Sequence, residues 1–311
     1  MTDAEGRAGD VWTIGSAPGE ANTLAVRTVD AGGGARTHFT RTLRTRSEIL
    51  FGRPDGLKRL LGDGTLEDVA AGQFSSPAWS PDGTRIAFYR QVDVDGNRVA
   101  RIYTMNADGT GTPECVSCAA AITPVTQEYS PLWSPDGSQI LFARGIAPVE
   151  IWIMDASGSG ARRLTTGEHP TWSPDGTEIA FRQHTVSTSA IHVMNSDGTG
   201  VFRLSNYMEP ESYPAWSPDG EEIVFSRSGA GLVLVKREAG TLQRTLGVSG
   251  LPVAWSVDGE KVLIRGLDHD GRPLLATVDV GTSAIDELWI APDVSPQQLT
   301  IGNQSWRGCM P

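Results

Sequence analysis

The sequence PTWSPDGTEIAFRQ (residues 170–183) is one of five copies of a single phrase in this chain. The other copies are PAWSPDGTRIAFYR (77–90), PLWSPDGSQILFAR (131–144), PAWSPDGEEIVFSR (214–227) and PVAWSVDGEKVLIRG (252–266). Their tryptophans are separated by 54, 39, 44 and 39 residues, and a degenerate copy surrounds Trp306, 51 residues further on. Repeats of about 40–50 residues are typical of β-propellers, in which each repeat forms one four-stranded blade.

Each part of the phrase predicts an element of a blade. The tryptophan lies on a first strand, and S-P-D-G forms a turn because proline presets φ and glycine accepts a positive φ. The following I-A-F segment is apolar on both faces, as expected for a second strand that is covered on both sides. IHVMNSDGTG (191–200) and VFRLS (201–205) then read as a third strand, a hairpin and a fourth strand.

The repeats predict an all-β fold: a six-bladed β-propeller of four-stranded antiparallel blades, whose ring is closed by combining N- and C-terminal strands. We expect one domain over residues 1–311, with clear repeats at 48–290 and a flexible tail at 1–10. Residues 48–61 match the third and fourth strands of the first blade, Thr23–Thr28 is a candidate second strand, and Trp306 is preferred over Trp12 for the first strand. Residues 29–47 and 112–128 are predicted to be long loops.

Composition excludes several classes of protein. The chain has 26 Lys and Arg against 37 Asp and Glu, a net charge of −11, which disfavours nucleic-acid binding. No apolar stretch approaches the ~18 residues of a membrane helix, so membrane insertion is not expected. The start MTDAEGRAGD does not resemble a signal peptide. We therefore expect a cytoplasmic protein as written, or an envelope or secreted protein if a leader has been removed, and a monomer.

The pattern P-x-W-S-P-D-G-x-x-I-A-F, then I-x-x-M-N-x-D-G-x-G and R-L-T, resembles the TolB-type six-bladed β-propellers, which are WD-repeat-like. The resemblance implies that the first strands line a central channel and that the W-S-P-D-G turns lie on one face. It also implies that the starts of the first strands and the ends of the second strands lie on the other face. Such propellers serve as binding platforms, as domains attached to peptidases, and occasionally as lyases, so the resemblance transfers no catalytic residue.

Two sets of residues are expected to rim the channel. The acidic and aromatic residues that precede the tryptophan phrases include Glu128, Tyr129, Glu168, His169, Glu211 and Tyr213. The arginines that end the second strands are Arg53, Arg90, Arg144 and Arg227 at one aligned position, with Arg182 and Arg265 one residue earlier. Two interpretations are open: a ring that binds a carboxylate or phosphate, or pairs with Glu128, Glu168 and Glu211 of neighbouring blades that fasten the blades together.

Other candidate chemistry is sparse. His169 and His184 share a blade and, with Tyr129 and Tyr213, are candidates for acid–base catalysis. Asp93–Asn97 resembles the start of a calcium loop, as Asp268–Gly271 does more faintly, but Thr104 stands where the twelfth-position Glu is required. We predict neither a metal site nor a cofactor. Cys115 and Cys118 read as a local disulfide or as two thiols, and a disulfide would indicate an oxidising compartment.

The sequence favours a non-catalytic binding propeller that presents its channel mouth to a protein, a peptide or a small anionic ligand. The alternative is a small-molecule enzyme, lyase- or cyclase-like, with its pocket at the mouth. A structural module of a larger assembly is the third possibility. We do not expect a propeller-capped serine peptidase, because the sequence has no G-x-S-x-G motif and the repeats occupy nearly all of residues 1–311.

Overall fold

The computed structural model describes residues 21–29, 35–44, 48–61, 65–118, 127–184, 188–205, 208–238, 243–267, 270, 273–290 and 306–307. All regular structure in these ranges is β-strand. These ranges likewise hold no helix with the length and apolar character needed to cross a membrane. The fold is therefore all-β, as predicted.

Five blades are formed by consecutive strands, each paired antiparallel with the next. Blade 2 contains β6 (Ser75–Trp79), β7 (Arg85–Val94), β8 (Asn97–Asn106) and β9 (Glu114–Cys115). Blade 3 contains β10 (Glu128–Trp133), β11 (Gln139–Arg144), β12 (Glu150–Asp155) and β13 (Arg162–Thr166). Blade 4 contains β14 (Glu168–Trp172), β15 (Glu178–His184), β16 (Ser189–Asn195) and β17 (Phe202–Arg203). Blade 5 contains β18 (Glu211–Trp216), β19 (Glu222–Arg227), β20 (Gly231–Lys236) and β21 (Gln243–Thr245). Blade 6 contains β22 (Leu251–Trp255), β23 (Lys261–Leu267), β24 (Pro273–Asp279) and β25 (Ile285–Ile290).

Blade 1 combines the two ends of the chain. It consists of β3 (Glu48–Arg53), β4 (Gly56–Leu61), β5 (Leu66–Ala71) and, as its first strand, β26 (Trp306–Arg307). Trp306 is in register with Ile49 on β3. The six-bladed ring and its closure by Trp306 are thus confirmed, and the closing strand removes an open sheet edge.

Three predictions about the N-terminal region were wrong. Residues 48–61 form the second and third strands of blade 1, because β26 takes the first position and β5 the fourth. Thr23–Thr28 lies in β1 (Ala21–Val29), which pairs with β2 (Ala35–Arg44) in a separate two-stranded sheet. The segment 29–47 is therefore not one loop.

The second predicted long loop, 112–128, also contains a strand. Within it, Glu114–Cys115 forms β9, and residues 119–126 lie outside the described ranges.

The repeated phrase provides the core between blades. The ninth residue after each tryptophan position is an aromatic or aliphatic side chain on the second strand. In blades 1 to 5 this residue is a phenylalanine with no exposed surface: Phe51, Phe88, Phe142, Phe181 and Phe225. Trp133 and Trp172 of adjacent blades belong to one apolar cluster with Phe142 and Phe181. Both faces of a blade are therefore apolar because a neighbouring blade covers each of them.

Each W-S-x-D-G turn is closed by its own side chains, as blade 4 illustrates. Ser173 Oγ donates to Asp175 Oδ1 over 2.6 Å, and the same oxygen accepts the backbone N–H of Thr177 at 3.0 Å. Ser173 Oγ in turn accepts the N–H of Glu178 at 2.9 Å. Gly176 has φ of 73°, and a Cβ built there would lie 3.5 Å from Pro135 Cδ in the turn of blade 3. The proline and glycine therefore also pack one turn against the next.

The turn aspartates make the fold sensitive to acid. Hydrogen bonds from a serine hydroxyl and a backbone N–H lower the pKa of Asp82, Asp136, Asp175 and Asp219 below its usual value. Groups with lowered folded-state pKa stabilise the fold above the unfolded-state pKa of about 4, and this contribution is lost as the pH falls through the folded-state values. We expect denaturant midpoints to be steady from neutral pH to about 5 and to fall below about pH 4. A variant with asparagine at all four positions should show a flatter acid limb; an equally steep limb would contradict this assignment.

The closing strand should contribute measurably to stability. Deleting residues 301–311 removes β26 and exposes the edge of β3, which costs its ladder hydrogen bonds and invites edge-to-edge association. We expect a loss of about 2 kcal/mol, or about 5 °C in the thermal midpoint, together with increased aggregation. Deleting only residues 309–311 is the matched control, because it retains Trp306 and Arg307. Equal midpoints for the two deletions would show that β26 does not close the ring.

Candidate functional site

The first strands of neighbouring blades contact one another and so surround the central channel. We call the channel end at which these strands begin the mouth, and the opposite face, which carries the W-S-x-D-G turns, the turn face. In four blades the residue before the first-strand proline has a positive φ. These residues are Ser76 (47°), Ser130 (54°), His169 (50°) and Tyr213 (56°). A β-bulge interrupts the pairing of the first and second strands at the same point.

Left-handed backbone is uncommon for residues other than glycine, and proline restricts the residue before it further. Each such residue costs on the order of 1–3 kcal/mol and persists only where the surrounding structure enforces it. Here the same conformation recurs at four mouth positions, including His169 and Tyr213, two of the predicted candidates. A left-handed backbone at the start of the first strand is therefore a shared structural feature of the mouth.

The six predicted arginines do not form one ring. Arg53, Arg90, Arg144 and Arg227 occupy the eleventh position after the tryptophan (+11, with Trp306 as the reference for blade 1), whereas Arg182 and Arg265 occupy the tenth (+10). Successive residues of a strand point to opposite faces of the sheet, so the two groups face opposite ways. The offset of one residue noted in the sequence therefore separates two kinds of arginine.

In blade 5 a +11 arginine forms a buried salt bridge that helps to link two blades. Arg227 donates from Nε and Nη2 to Oε1 of Glu211 at 3.0 and 2.7 Å, and neither side chain has more than 6% of its surface exposed. Glu211 Oε2 accepts from Ser205 Oγ in blade 4. Ser205 Oγ also accepts the N–H of Ile191 at 3.0 Å. The pair thus links the end of one blade to the start of the next.

Blade 3 contains a related link, in which a buried glutamate contacts Ser117 and Arg101 of blade 2. Buried Glu128 is bonded by Ser117 of blade 2 and lies 4.0 Å from Arg101 Nη1, and burial raises the pKa of Glu128. The N–H of Ile102 donates to Ser117 Oγ at 3.0 Å, as Ile191 does to Ser205. A disulfide between Cys115 and Cys118 brackets Ser117, so of the two states considered for these cysteines the structure has the disulfide.

The remaining +11 arginines lie against rings or a turn. Arg144 stacks over Trp152 at 4.4 Å and Arg90 over Tyr103 at 4.0 Å. Arg53 Nε lies 3.7 Å from Asp55. The fastening interpretation predicted carboxylates from neighbouring blades, but the carboxylate that binds Arg227 belongs to its own blade. The link to the next blade is made by a serine, which the sequence analysis did not single out.

The +10 arginines lie at the mouth. Arg182 Nη1 donates to Oε2 of Glu168 over 2.9 Å, and Nε2 of His184 lies 3.4 Å from the other carboxylate oxygen. Arg265 stacks over the ring of Tyr213 at 5.1 Å and has no salt bridge with the described residues. Tyr213 itself stacks on His169, with ring centroids 3.7 Å apart.

Tyr129 extends this group towards blade 2. Its ring meets that of Tyr89 edge-on at 6.4 Å, and its hydroxyl donates to the carbonyl of Gly145 at 3.0 Å. Tyr89 occupies the same +10 position as Arg182 and Arg265, which is the sequence signal that could have identified it. We define the mouth cluster by the following residues: Tyr89, Tyr129, Glu168, His169, Arg182, His184, Tyr213 and Arg265.

The environment of the mouth cluster changes two pKa values. Burial, followed by the positive charges of Arg182 and Arg265, lowers the pKa of His169 to about 3, so its imidazole is neutral at physiological pH. Its Nδ1 is buried and has no hydrogen-bond partner among the described residues. Burial and the charge of Glu168 raise the pKa of Tyr129 to about 12. The cluster therefore carries two guanidinium groups against one carboxylate, beside a neutral imidazole.

The calcium-like segment Asp93–Asn97 is the hairpin that joins β7 to β8. Its Asp93 Oδ1 accepts the N–H of Gly96 at 2.9 Å, which is an ordinary turn contact. The similar segment at 268–271 lies outside the described residues except for Asp270. Among the described side chains, no three His, Cys, Asp or Glu residues are grouped so as to hold a metal ion.

The two kinds of arginine should differ in their effect on stability. Arg227→Ala leaves the buried Glu211 carboxylate without its cation, so we expect a loss of about 3–5 kcal/mol in the free energy of unfolding. Arg182→Ala breaks a pair that is partly exposed, and we expect a loss of no more than about 1 kcal/mol. Denaturant titration of both variants at neutral pH measures the difference. Equal losses would show that the +10 and +11 arginines do not differ in their contribution to the free energy of unfolding.

Solved structures share this architecture across most of the chain. A protein assigned as TolB from Agrobacterium tumefaciens has a TM-score of 0.63 and 21% identity, covering 82% of this chain and 96% of its own. TolB from Acinetobacter baumannii has a TM-score of 0.65 and 18% identity, covering 91% and 79%. An oligogalacturonate lyase in complex with manganese has a TM-score of 0.55 and 15% identity, covering 86% and 85%.

No protein-family model matches the sequence, and no curated protein matches it either. At identities of 21% and below, the likeness to the solved structures concerns the fold, which is also what the repeated phrase predicted. The chain is therefore a six-bladed β-propeller with the fold of the TolB-type propellers.

Proposed function

We propose that this chain is a non-catalytic binding propeller that captures, at its mouth, a carboxylate carried by a protein or peptide partner. The observation that carries the proposal is Arg265, a guanidinium held over Tyr213 and without a carboxylate among the described residues. Arg182 lies in the same cluster, and both arginines act on the imidazole of His169. Guanidinium groups that are oriented in advance bind carboxylates with charge-assisted hydrogen bonds.

The rim around the mouth supports a protein or peptide as the partner. Three large apolar side chains are exposed at this face: Ile146, Met208 and Leu267, at 75, 79 and 54%. Ile146 follows the second strand β11, Met208 precedes the first strand β18, and Leu267 is the last residue of the second strand β23, so all three border the mouth. Exposed apolar side chains around a polar centre are typical of interaction surfaces. The TolB structures share this fold, which is compatible with a binding role.

A second candidate function is a small-molecule enzyme of the lyase or cyclase kind. The observation that favours it is the neutral imidazole of His169, which is stacked on Tyr213 with its Nδ1 unpaired among the described residues. A neutral imidazole can accept a proton, although a pKa of about 3 makes it a weak base. An oligogalacturonate lyase also has this fold. We rank this function second because the low pKa suits a hydrogen-bonding group better than a general base.

The disulfide supports an oxidising compartment, such as the cell envelope or the extracellular space, because disulfides persist mainly there. We propose this localisation together with a monomeric state. Mass spectrometry of the native protein with and without reductant would test whether the disulfide is present and whether the protein is a monomer.

The binding proposal is tested with peptides that have a free or an amidated C-terminus. Replacing both mouth arginines (Arg182→Ala with Arg265→Ala) should weaken binding of free-carboxylate peptides by at least about tenfold, because charge-assisted hydrogen bonds are lost. Amidated peptides should bind the parent protein equally weakly. The matched control is Arg162→Ala, since Arg162 lies at the start of β13, near the turn face.

His169 provides an independent readout by nuclear magnetic resonance. A bound carboxylate places negative charge near the imidazole and favours its protonated form, so the pKa of His169 should rise above about 3. Binding without any response of His169, or equal binding by the double variant and the parent, would place the ligand elsewhere. Turnover of a small molecule that is abolished by His169→Gln would favour the enzyme instead.

A further inference from the structure

A cleft of ≈ 480 Å³ opens on the turn face between blades 2 and 3. Its walls include Arg85, Asp82 and Pro81 from blade 2, and Trp133, Asp136 and Ala156 from blade 3. None of these residues belongs to the mouth cluster. The cleft is thus a second concave surface on the opposite side of the propeller.

At the corresponding interface between blades 4 and 5, two charged side chains occupy this space. Glu178 is the sixth residue after Trp172, just as Arg85 is the sixth after Trp79. The N–H of Arg237 donates to the carbonyl of Glu221 in the same way that the N–H of Ala156 donates to that of Ser138, and both acceptors are the fifth residue after a tryptophan. Arg85 and Ala156 therefore occupy the positions of Glu178 and Arg237.

Between blades 4 and 5 the two side chains close the interface with an ion pair. Arg237 Nε donates to Glu178 Oε2 at 2.8 Å, and Nη2 donates to Oε1. Such a fork is the geometry in which guanidinium and carboxylate groups bind most strongly. Between blades 2 and 3 a guanidinium replaces the carboxylate and a methyl group replaces the guanidinium. The cation is Arg85, and the cleft beside it and Ala156 leaves space for a carboxylate.

Among the described residues, the polar partners of the Arg85 side chain belong to its own blade. Its Nη2 donates to Thr104 Oγ1 at 2.5 Å and lies 3.5 Å from Glu114 Oε2. The side chains of this ion pair are 41 and 70% exposed, and exposed pairs contribute little. A ligand carboxylate can therefore compete for the guanidinium.

The carboxylates of Asp82 and Asp136 restrict the charge that a ligand of the cleft can carry. Asp82 and Asp136 stand on the two walls of the cleft, and the donors of their own turns hold the pKa of both below its usual value. A purely anionic ligand would meet two carboxylates and one guanidinium, which is unfavourable. A ligand that also carries an ammonium group would match the charges of the walls, and the apolar surfaces of Pro81, Trp133 and Ala156 remain for a side chain.

We propose that the cleft between blades 2 and 3 binds a free α-amino acid with an apolar side chain. Its carboxylate binds Arg85 in the space beside Ala156, which the side chain of Arg237 fills two blades further on. Its ammonium group faces Asp82 and Asp136, and its side chain lies against Pro81 and Trp133. This site is independent of the function proposed for the mouth.

Calorimetric titration with three related probes tests the proposal. L-Phenylalanine should bind, whereas 3-phenylpropionate, which lacks the ammonium group, and phenethylamine, which lacks the carboxylate, should each bind at least about tenfold more weakly. Absence of phenylalanine binding at millimolar concentrations would overturn the proposal. Equal binding of either truncated probe would overturn it as well.

Two variants place the ligand in the cleft. Arg85→Gln removes the cation, and Ala156→Leu fills the space without changing any charge, so each should weaken phenylalanine binding at least about tenfold. Lys261→Gln is the matched control, because Lys261 occupies the same repeat position in blade 6. Arg265→Ala should likewise leave binding unchanged, which separates this site from the mouth. Unchanged affinity in both cleft variants, with thermal unfolding confirming that they fold, would overturn the assignment.

Discussion

Every blade is a four-stranded sheet with two apolar faces, and only another blade can cover each face. Completely buried phenylalanines on the second strands of five blades mark this requirement. A row of such sheets has two uncovered ends, so the apolar surface is fully buried only if the row closes. Pairing of Trp306 with Ile49 at the junction of the two chain ends follows from that constraint. Removal of apolar surface from water therefore determines the ring as well as the blades.

Closing the ring brings six strand ends to one opening, and the strand period of two then sorts their side chains. Arg227 at +11 turns into the sheet interface, where it neutralises buried Glu211. Arg265 at +10 turns to the mouth and stacks on Tyr213. A shift of one residue in the position of the arginine along the second strand thus separates an arginine that lies between blades from one that lies at the mouth.

The residue five positions before the tryptophan accompanies this difference. Blades 3 and 5 have Glu128 and Glu211 there, in register with the +11 arginines Arg144 and Arg227. Blades 4 and 6 have Gly167 and Gly250, where an added Cβ would meet Phe181 at 2.6 Å and Ile264 at 2.9 Å. These contacts come from the second strand of the same blade, which lies so close to the glycine that a glutamate side chain does not fit at this position. From blade 3 to blade 6 glutamate and glycine alternate at this position, whereas blade 2 has Phe74 there, and the two mouth arginines occur in the glycine blades.

The sequence alone determined the number of blades, the first and second strands of blades 2 to 6, the turns between them and the closing role of Trp306, because each depends on patterns within about 50 residues. It did not determine the partners of the arginines, the serines that link blades or the cleft beside Arg85. Those depend on which side chains of different repeats meet across an interface, and repeats of almost identical sequence differ there by single residues. Nor did it place residues 21–44, where no tryptophan phrase sets the register, and β1 and β2 pair with each other instead of joining a blade. Local hydrogen bonding and periodicity are encoded along the chain, whereas the mouth and the cleft exist only once the ring brings distant repeats together.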